Sequence, residues 1–291
     1  MRNRRVYLVT WCVTLFCLPA ALYCVWLLVR MFLYDQFVIP SNSMRPTLIP
    51  GDRVIVNKTK LGARLYSNFD FNTEGVDLKS WRTRGYEKIE YNDIIVFNFP
   101  LHEGKYSFVI NHVYCKRVVA LPGDTIRIKN GHYMCNNYHG VLGNENMQGV
   151  LESIPDSILY PVWSTIPFDD EHFRWNVKSF GPLYIPRLGD SIHLSAYEGC
   201  IYKNILEWET GKQISWNWES NQTYADEDLL NYYTFMHNYY FVAGDNVVDS
   251  SDSRYWGLVP EEYIIGVVCC ISYSCGKSYR DFLWDRILKD I

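Results

Sequence analysis

From Val6 to Val29 the chain runs for twenty-four residues, VYLVTWCVTLFCLPAALYCVWLLV, without a charged side chain. As a helix this stretch rises about 36 Å, enough to cross a hydrocarbon core of roughly 30 Å with some tilt. Pro19 kinks such a helix without preventing insertion. A cleavable signal peptide fits poorly, because its apolar region spans about 7–15 residues and ends at a small-residue site. A lipoprotein signal also fits poorly, since bulky Tyr23 precedes Cys24. Arg2, Arg4 and Arg5 precede the stretch, and only Arg30 follows it closely, before Asp35. This asymmetry predicts a single-pass anchor with a cytoplasmic N-terminus and everything after the span on the far side of the membrane.

The rest of the 291 residues is long enough for two compact domains or one core with insertions. A net charge of -4 gives no pull toward nucleic acid. The nine cysteines show no zinc-ligand spacing, and no metal or cofactor motif is present. On the extracytoplasmic side, a Cys135–Cys200 bridge or one involving Cys275 is open.

Short β-type runs alternate with Gly, Asn, Asp and Pro turns. Strands are predicted at Arg53–Asn57, Ile94–Asn98, Phe108–Leu121, Thr125–Lys129, Tyr239–Ala243 and Ile264–Tyr273. Helical patterns are short, near Ala225–Tyr233 and Arg280–Leu288, and the expected fold is mainly antiparallel β. Residues 130–238, rich in Trp, Tyr, Asn and acidic side chains, read as an insertion, with a smaller one over Thr59–Lys88.

Three segments carry chemistry. The first, Ser41-Asn42-Ser43-Met44-Arg45-Pro46-Thr47-Leu48, presents a serine pair at a turn. A serine hydroxyl is a weak nucleophile and needs a base. In the second, Tyr114-Cys115-Lys116-Arg117-Val118, strand periodicity sets Lys116 on one face with Tyr114 and Val118 while Arg117 faces the other way. A lysine flanked by apolar groups loses solvation, its pKa falls, and a neutral amine becomes available. An arginine stays protonated. His112 is the rival base. The third segment runs from Gly244-Asp245-Asn246 through Ser250-Ser251-Asp252-Ser253-Arg254-Tyr255-Trp256-Gly257. Each segment alone also reads as an ordinary turn, strand or polar loop.

Together, Ser41-Asn42-Ser43-Met44-x-Pro46-Thr47-Leu48, Tyr114-x-Lys116-Arg117-Val118-x-x-Leu121-Pro122-Gly123-Asp124 and Gly244-Asp245-Asn246 through Ser253-Arg254-Tyr255-Trp256-Gly257 resemble the successive boxes of bacterial type I signal peptidases. Their order, their spacing and the preceding anchor agree. The resemblance covers the anchor, Val38–Lys58, Asp93–Lys129 and Tyr239–Val268, and touches Phe180–Pro186, but leaves most of 130–238 uncovered.

The resemblance implies a mainly β, signal-peptidase-like antiparallel catalytic core with an inserted β-rich domain and one N-terminal transmembrane helix. It divides the chain into an anchor (1–35), a catalytic core in two segments (36–129 and 239–275), an inserted domain (130–238) and a tail (276–291). Ser43 is then the acylated nucleophile and Lys116 the general base. Ser41 joins the Ser43 amide in the oxyanion hole, and Ser250 orients the lysine. Asp252 and Arg254 form a supporting ion pair, and Asp245 is the structural acid of the loop. Ile39, Pro40, Met44, Leu48, Tyr114 and Cys115 are expected to shape shallow substrate pockets. The implied substrates are secretory preproteins with small residues at positions -1 and -3, cut at the bacterial inner membrane without a cofactor. The sequence departs from the family pattern in two places, Val247-Val248 in the third box and Asn92 before Asp93. The rivals are a soluble self-cleaving Ser/Lys enzyme, which would need a DNA-binding module, and a non-catalytic membrane-anchored binding protein using the aromatic insertion.

Overall fold

The computed structural model describes residues 2–66, 80–276 and 281–291, without the side chains of 2–10, 12–14 and 161. The uncharged stretch lies within helix α1 (Arg2–Phe32), which contains Pro19. Its window Leu15–Phe32 has a mean hydropathy of 2.0 and no buried residue, so length and composition suffice to cross a membrane. Side chains tie the end of this helix to the chain beyond it. Lys58 donates its Nζ to the Arg30 carbonyl at 2.7 Å and to Asp35 at 3.0 Å, and Asp35 also holds the Arg30 guanidinium.

Strands β1 (Tyr34–Val38), β2 (Asp52–Asn57), β3 (Ile94–Asn98) and β4 (Val113–Ala120) begin the main sheet. Strands β5 (Thr125–Lys129), β6 (His132–Cys135) and β7 (Ser179–Tyr184) form a second, three-stranded sheet, β6-β5-β7. The main sheet is completed by β8 (Tyr239–Ala243), β9 (Val259–Pro260), β10 (Ile264–Cys275), β11 (Phe282–Leu283) and β12 (Lys289–Asp290). Its order is β1-β2-β10-β3-β4-β8-β9, antiparallel throughout, with β11 and β12 on β10.

The continuous apolar run of β3 follows from its central place, because both of its faces are covered. Ile94 and Val96 pack with Ile39, Met44, Leu48, Val54 and Val56 on one side. Ile95 and Phe97 pack with Val118, Val242 and Tyr263 on the other. Three predicted strands, Ile94–Asn98, Thr125–Lys129 and Tyr239–Ala243, match the observed ones residue for residue. The run Phe108–Leu121 is strand only from Val113.

Residues 130–238 hold more helix than expected. Besides the short α2 (Glu145–Ser153), α3 (Ala196–Thr210) runs fifteen residues from a capping box of Ser195 and Glu198 to Gly211 in the left-handed region. The helix expected near Ala225–Tyr233 is instead strand and turn, with Asp226 at φ 55 between paired segments. Nor does this region have a core of its own. Tyr133, Leu183, Tyr202, Ile205 and Phe235 join one cluster with Val119, Ala120, Phe241 and Ala243 of β4 and β8. Cys135 and Cys200 are buried free thiols, so the suggested bridge between them is not made. Within Thr59–Lys88 the described part forms a small hairpin, Arg64–Tyr66 with Ser80–Arg82, and 67–79 lie outside the described residues.

Over its described residues, 281–291, the tail forms no α-helix, and a 3-10 turn at Trp284–Arg286 lies between two short strands. One edge of β10 pairs with β2 along most of its length. The other edge pairs with β3 over Ile264–Val267, and beyond that β12 and β11 cover Cys270–Ile271 and Ser274–Cys275. The tail thus closes an edge that β3 leaves open.

Candidate active site

Between β1 and β2 the chain makes a tight excursion over residues 39–51. It is pinched at its neck, where Ile39 N donates to Asp52 O at 2.8 Å and Gly51 N to Ile39 O at 2.9 Å. Ile39, Met44 and Leu48 anchor it from beneath, each at most 3% exposed. With those side chains turned inward, Ser41 and Ser43 are left on the upper side, their hydroxyls 3.3 Å apart.

Lys116 arrives from β4, opposite Ile95 of β3. Its Nζ lies 2.7 Å from Ser43 Oγ, although the two residues are 73 apart in sequence. The side chain is buried, 4% exposed, and its Nζ sits 5.5 Å from the centre of the Tyr114 ring. Burial pushes the Lys116 pKa down from the ordinary lysine value. The Asp252 carboxylate pulls it back and Arg254 adds to the fall. A lysine in this position holds a neutral amine more readily than one in water.

The third segment backs the site. Asp252 and Arg254 are fully buried and pair through two hydrogen bonds of 2.8 and 2.9 Å, at the start of the short helix α4 (Ser253–Trp256). Burial alone would raise the Asp252 carboxyl, but the Arg254 guanidinium and the Gly244 amide hold it below its usual value. Arg254 also donates to Val247 O. Asp245 is held by Arg117, whose side chain leaves β4 on the face opposite Lys116. Asn246 fixes the nucleophile turn directly, its N–H donating to Ser43 O at 3.0 Å and its side chain to Asn42 O at 3.3 Å. Sequence reasoning named Arg117 and Asn246 as motif residues but gave neither a role in the site.

Ser250 lies at the site, 8% exposed, but its hydroxyl makes no hydrogen bond. It packs on Gly244, where an added Cβ would fall 2.1 Å from Ser250 Oγ and 2.5 Å from Ser43 O. His112 is exposed and packs against Phe99, with ring centres 4.9 Å apart and planes tilted by 56°.

Ser43 and Lys116 open into a cleft of about 500 Å³ lined by Ile39, Pro40, Tyr114 and Cys115, as expected, and also by Val113, Asp249 and Ser251. Met44 and Leu48 do not line it. Both are core residues beneath the turn, because its backbone reverses direction and buries them against Val54 and Val56. Burial pushes the Cys115 thiol up to about 12, so it lines the wall without competing as a nucleophile. Along this cleft β4 has an open edge. Its pairing with β8 ends at Arg117, leaving the outer edge of Val113–Lys116 without a strand partner among the described residues.

The family model described as signal peptidase, peptidase S26, matches residues 8–169 and 185–273. The chain belongs to the signal peptidase family. Signal peptidase I of Buchnera aphidicola subsp. Baizongia pistaciae is 30% identical over 273 residues, 90% of this chain and 73% of that protein. Signal peptidase I of Buchnera aphidicola subsp. Schizaphis graminum is 28% identical over 259 residues, 88% of this chain and 73% of that protein. Signal peptidase I of Pseudomonas aeruginosa is 29% identical over 250 residues, 82% and 65% respectively. As a member of the signal peptidase family the chain is a serine endopeptidase that removes signal peptides. The match also takes in most of 130–238, leaving only 170–184 outside. The region that the motif resemblance left mostly uncovered is thus largely matched by the family model, in keeping with the core it shares with the main sheet.

Proposed function

We propose that Ser43 is the nucleophile and Lys116 the general base of this peptidase. The observation that carries the proposal is the 2.7 Å approach of Lys116 Nζ to Ser43 Oγ, made by a buried lysine whose pKa is lowered. The neutral amine takes the Ser43 proton as Oγ attacks the scissile carbonyl. The oxyanion is held by the Ser41 hydroxyl and the Ser43 amide; one such donor is worth roughly 2.7–4 kcal/mol of transition-state stabilisation. The Lys116 ammonium then protonates the departing amine, leaving an ester on Ser43. Lys116 next takes a proton from water, whose oxygen attacks the ester, and returns that proton to Ser43 as the acid leaves.

The preprotein's cleavage region adds to the open edge of β4 between Val113 and Lys116, as extended peptides add to exposed strands. Ile39, Pro40, Tyr114 and Cys115 bound the shallow walls and favour small residues at -1 and -3. Asp245, Asp252 and Arg254 hold the backing loop, and Ser250 contacts the lysine once substrate is bound. Residues 36–129 and 239–275 form the catalytic core, 130–238 flank it, and 1–35 anchor it in a bilayer with the N-terminus in the cytoplasm. The bacterial inner membrane is the expected location.

The test is cleavage of a preprotein in detergent by the parent enzyme, Ser43→Ala and Lys116→Met, with capture of a serine-acylating penem followed by mass spectrometry. Cleavage and acylation by the parent alone support the assignment. Near-normal cleavage by Lys116→Met sinks it.

A further inference from the structure

Among residues 281–291 a single side chain is buried, and it is an arginine, Arg286, 7% exposed. The rest of the segment is held by two-residue strand pairings, and Trp284 and Leu288 stand 77% and 68% exposed. Apart from the half-buried Phe282 ring stacked on Tyr273, the tail adds little apolar burial, and its one buried side chain is a cation.

Arg286 points into the nucleophile turn. Its Nε donates to Asp52 Oδ1 at 2.8 Å and its Nη2 to Asp52 Oδ2 at 2.5 Å, and Nη2 also reaches the Thr47 carbonyl at 3.0 Å. Asp52 is fully buried and accepts the Ile49 N–H at 2.8 Å, so its carboxylate needs a buried cation to offset desolvation. Thr47 is held from its other side as well, its hydroxyl donating to Asp245 at 2.5 Å. Leu48 N bonds back to Met44 O at 2.9 Å, so the Thr47 peptide and Ser43 belong to one compact turn. At its exit Gly51, at φ 98, leaves no room for a Cβ beside the Cys275 carbonyl, and Cys275 N donates to Gly51 O at 3.1 Å.

We infer that Arg286 is a positioning residue, delivered by the C-terminal tail to hold the nucleophile turn so that Ser43 meets Lys116. The inference rests on the Ser43 and Lys116 assignment above. Arg286 touches no reacting atom; it acts through Asp52 and Thr47.

The experiment uses the full chain in detergent and follows preprotein cleavage as kcat and KM across pH for the parent enzyme, Arg286→Met and Arg286→Lys. Active sites are counted by penem acylation. A displaced turn lowers kcat about ten- to a hundredfold with KM little changed, since misplacement of about 1 Å costs on that order. It also admits water to Lys116 and moves the acid limb of kcat/KM upward. The charged and titratable groups facing that amine are Cys115, Asp245, Asp252 and Arg254, and all remain in both variants. Arg286→Lys keeps the positive charge but cannot span Asp52 and Thr47 as the guanidinium does. A limb shift in both variants therefore reports geometry, and Arg286→Lys decides the matter if Arg286→Met does not fold. The inference is overturned by kcat within twofold of the parent, by a loss of kcat matched by lost active sites with the limb unmoved, or by a shift in Arg286→Met alone. Failure of the Ser43 assignment is read separately, as retained cleavage by Ser43→Ala in the parent background.

Discussion

Asp245 receives two hydrogen bonds from Arg117, at 2.7 and 2.6 Å, and Arg117 is the immediate neighbour of Lys116 on β4. The same carboxylate takes the Thr47 hydroxyl. One buried acid thus joins the strand that carries the lysine, the turn that carries Ser43 and the loop that backs both.

Removing the cation should therefore damage the fold and the site together. Arg117→Ala leaves Asp245, 1% exposed, without its charged partner, and a buried acid so stranded costs about 3 kcal/mol. The expected result is a melting temperature lower by roughly 5–10 °C, with cleavage reduced beyond the loss of folded enzyme. Calorimetry beside an active-site count checks this. An unchanged melting temperature would mean that the pair is not formed in solution.

Ser250→Ala separates a structural role from a catalytic one. The buried Ser250 hydroxyl has no partner in the resting structure, so removing it costs no hydrogen bond. Stability should stay within about 0.5 kcal/mol of the parent or rise slightly, whereas kcat should fall if the hydroxyl engages Lys116 in the substrate complex. A denaturant titration that shows a large loss of stability contradicts the first part; parental kcat contradicts the second.

Gly244 is constrained by what it faces. A methyl there would lie 2.1 Å from Ser250 Oγ and 2.5 Å from the Ser43 carbonyl, and the latter is backbone that cannot turn aside. Gly244→Ala should push the nucleophile turn away from Lys116. The expected loss in cleavage is about a hundredfold, with overpacking destabilising the fold by about 1–3 kcal/mol. Adding Ser250→Ala removes only the Oγ clash and leaves those with the residue-250 Cβ, at 2.6 Å, and the Ser43 carbonyl, so the double variant should stay close to the single one. Full recovery in the double variant would put the whole effect on Ser250.

How much of this was legible in the sequence depended on the reach of the interactions involved. Ile94–Asn98 and Tyr239–Ala243 stood out because a strand buried on both faces is apolar along nearly its whole length, Asn98 being the exception. Ser43 and Lys116 were legible as motif residues, but their meeting depends on β3 lying between β10 and β4, a long-range pairing. The inward turn of Met44 and Leu48 was hidden because residues 39–51 have no periodicity to read. Helix α3 did carry a local signal, Ser195 and Glu198 at capping-box spacing and Gly211 beyond its end, which the aromatic texture of the region obscured. The role of Arg286 had no local signature, since it depends on contacts 234 residues away.

Lys116 ties pH, stability and catalysis together. Burial lowers its pKa in the folded enzyme below the ordinary 10.5. Below the folded pKa both folded and unfolded chains hold the proton, and the fold bears the full cost of a buried ammonium. As pH rises through the folded pKa the native lysine loses its proton while the unfolded one keeps it, so that cost shrinks and is gone above about 10.5. Lys116→Met, which cannot carry the charge, should therefore be more stable than the parent at low pH, by a margin that narrows as pH rises through this window. Cleavage by the parent needs the neutral amine, so kcat/KM should rise through the same folded pKa. The stability gap between the two proteins should begin to narrow at the pH where the acid limb of activity has its midpoint, since both mark the folded pKa. Urea titrations of both proteins across pH, set beside the parent's pH–rate profile, check this. A gap independent of pH, or one that begins to narrow well away from the midpoint of the acid limb, would show that the group governing activity is not Lys116.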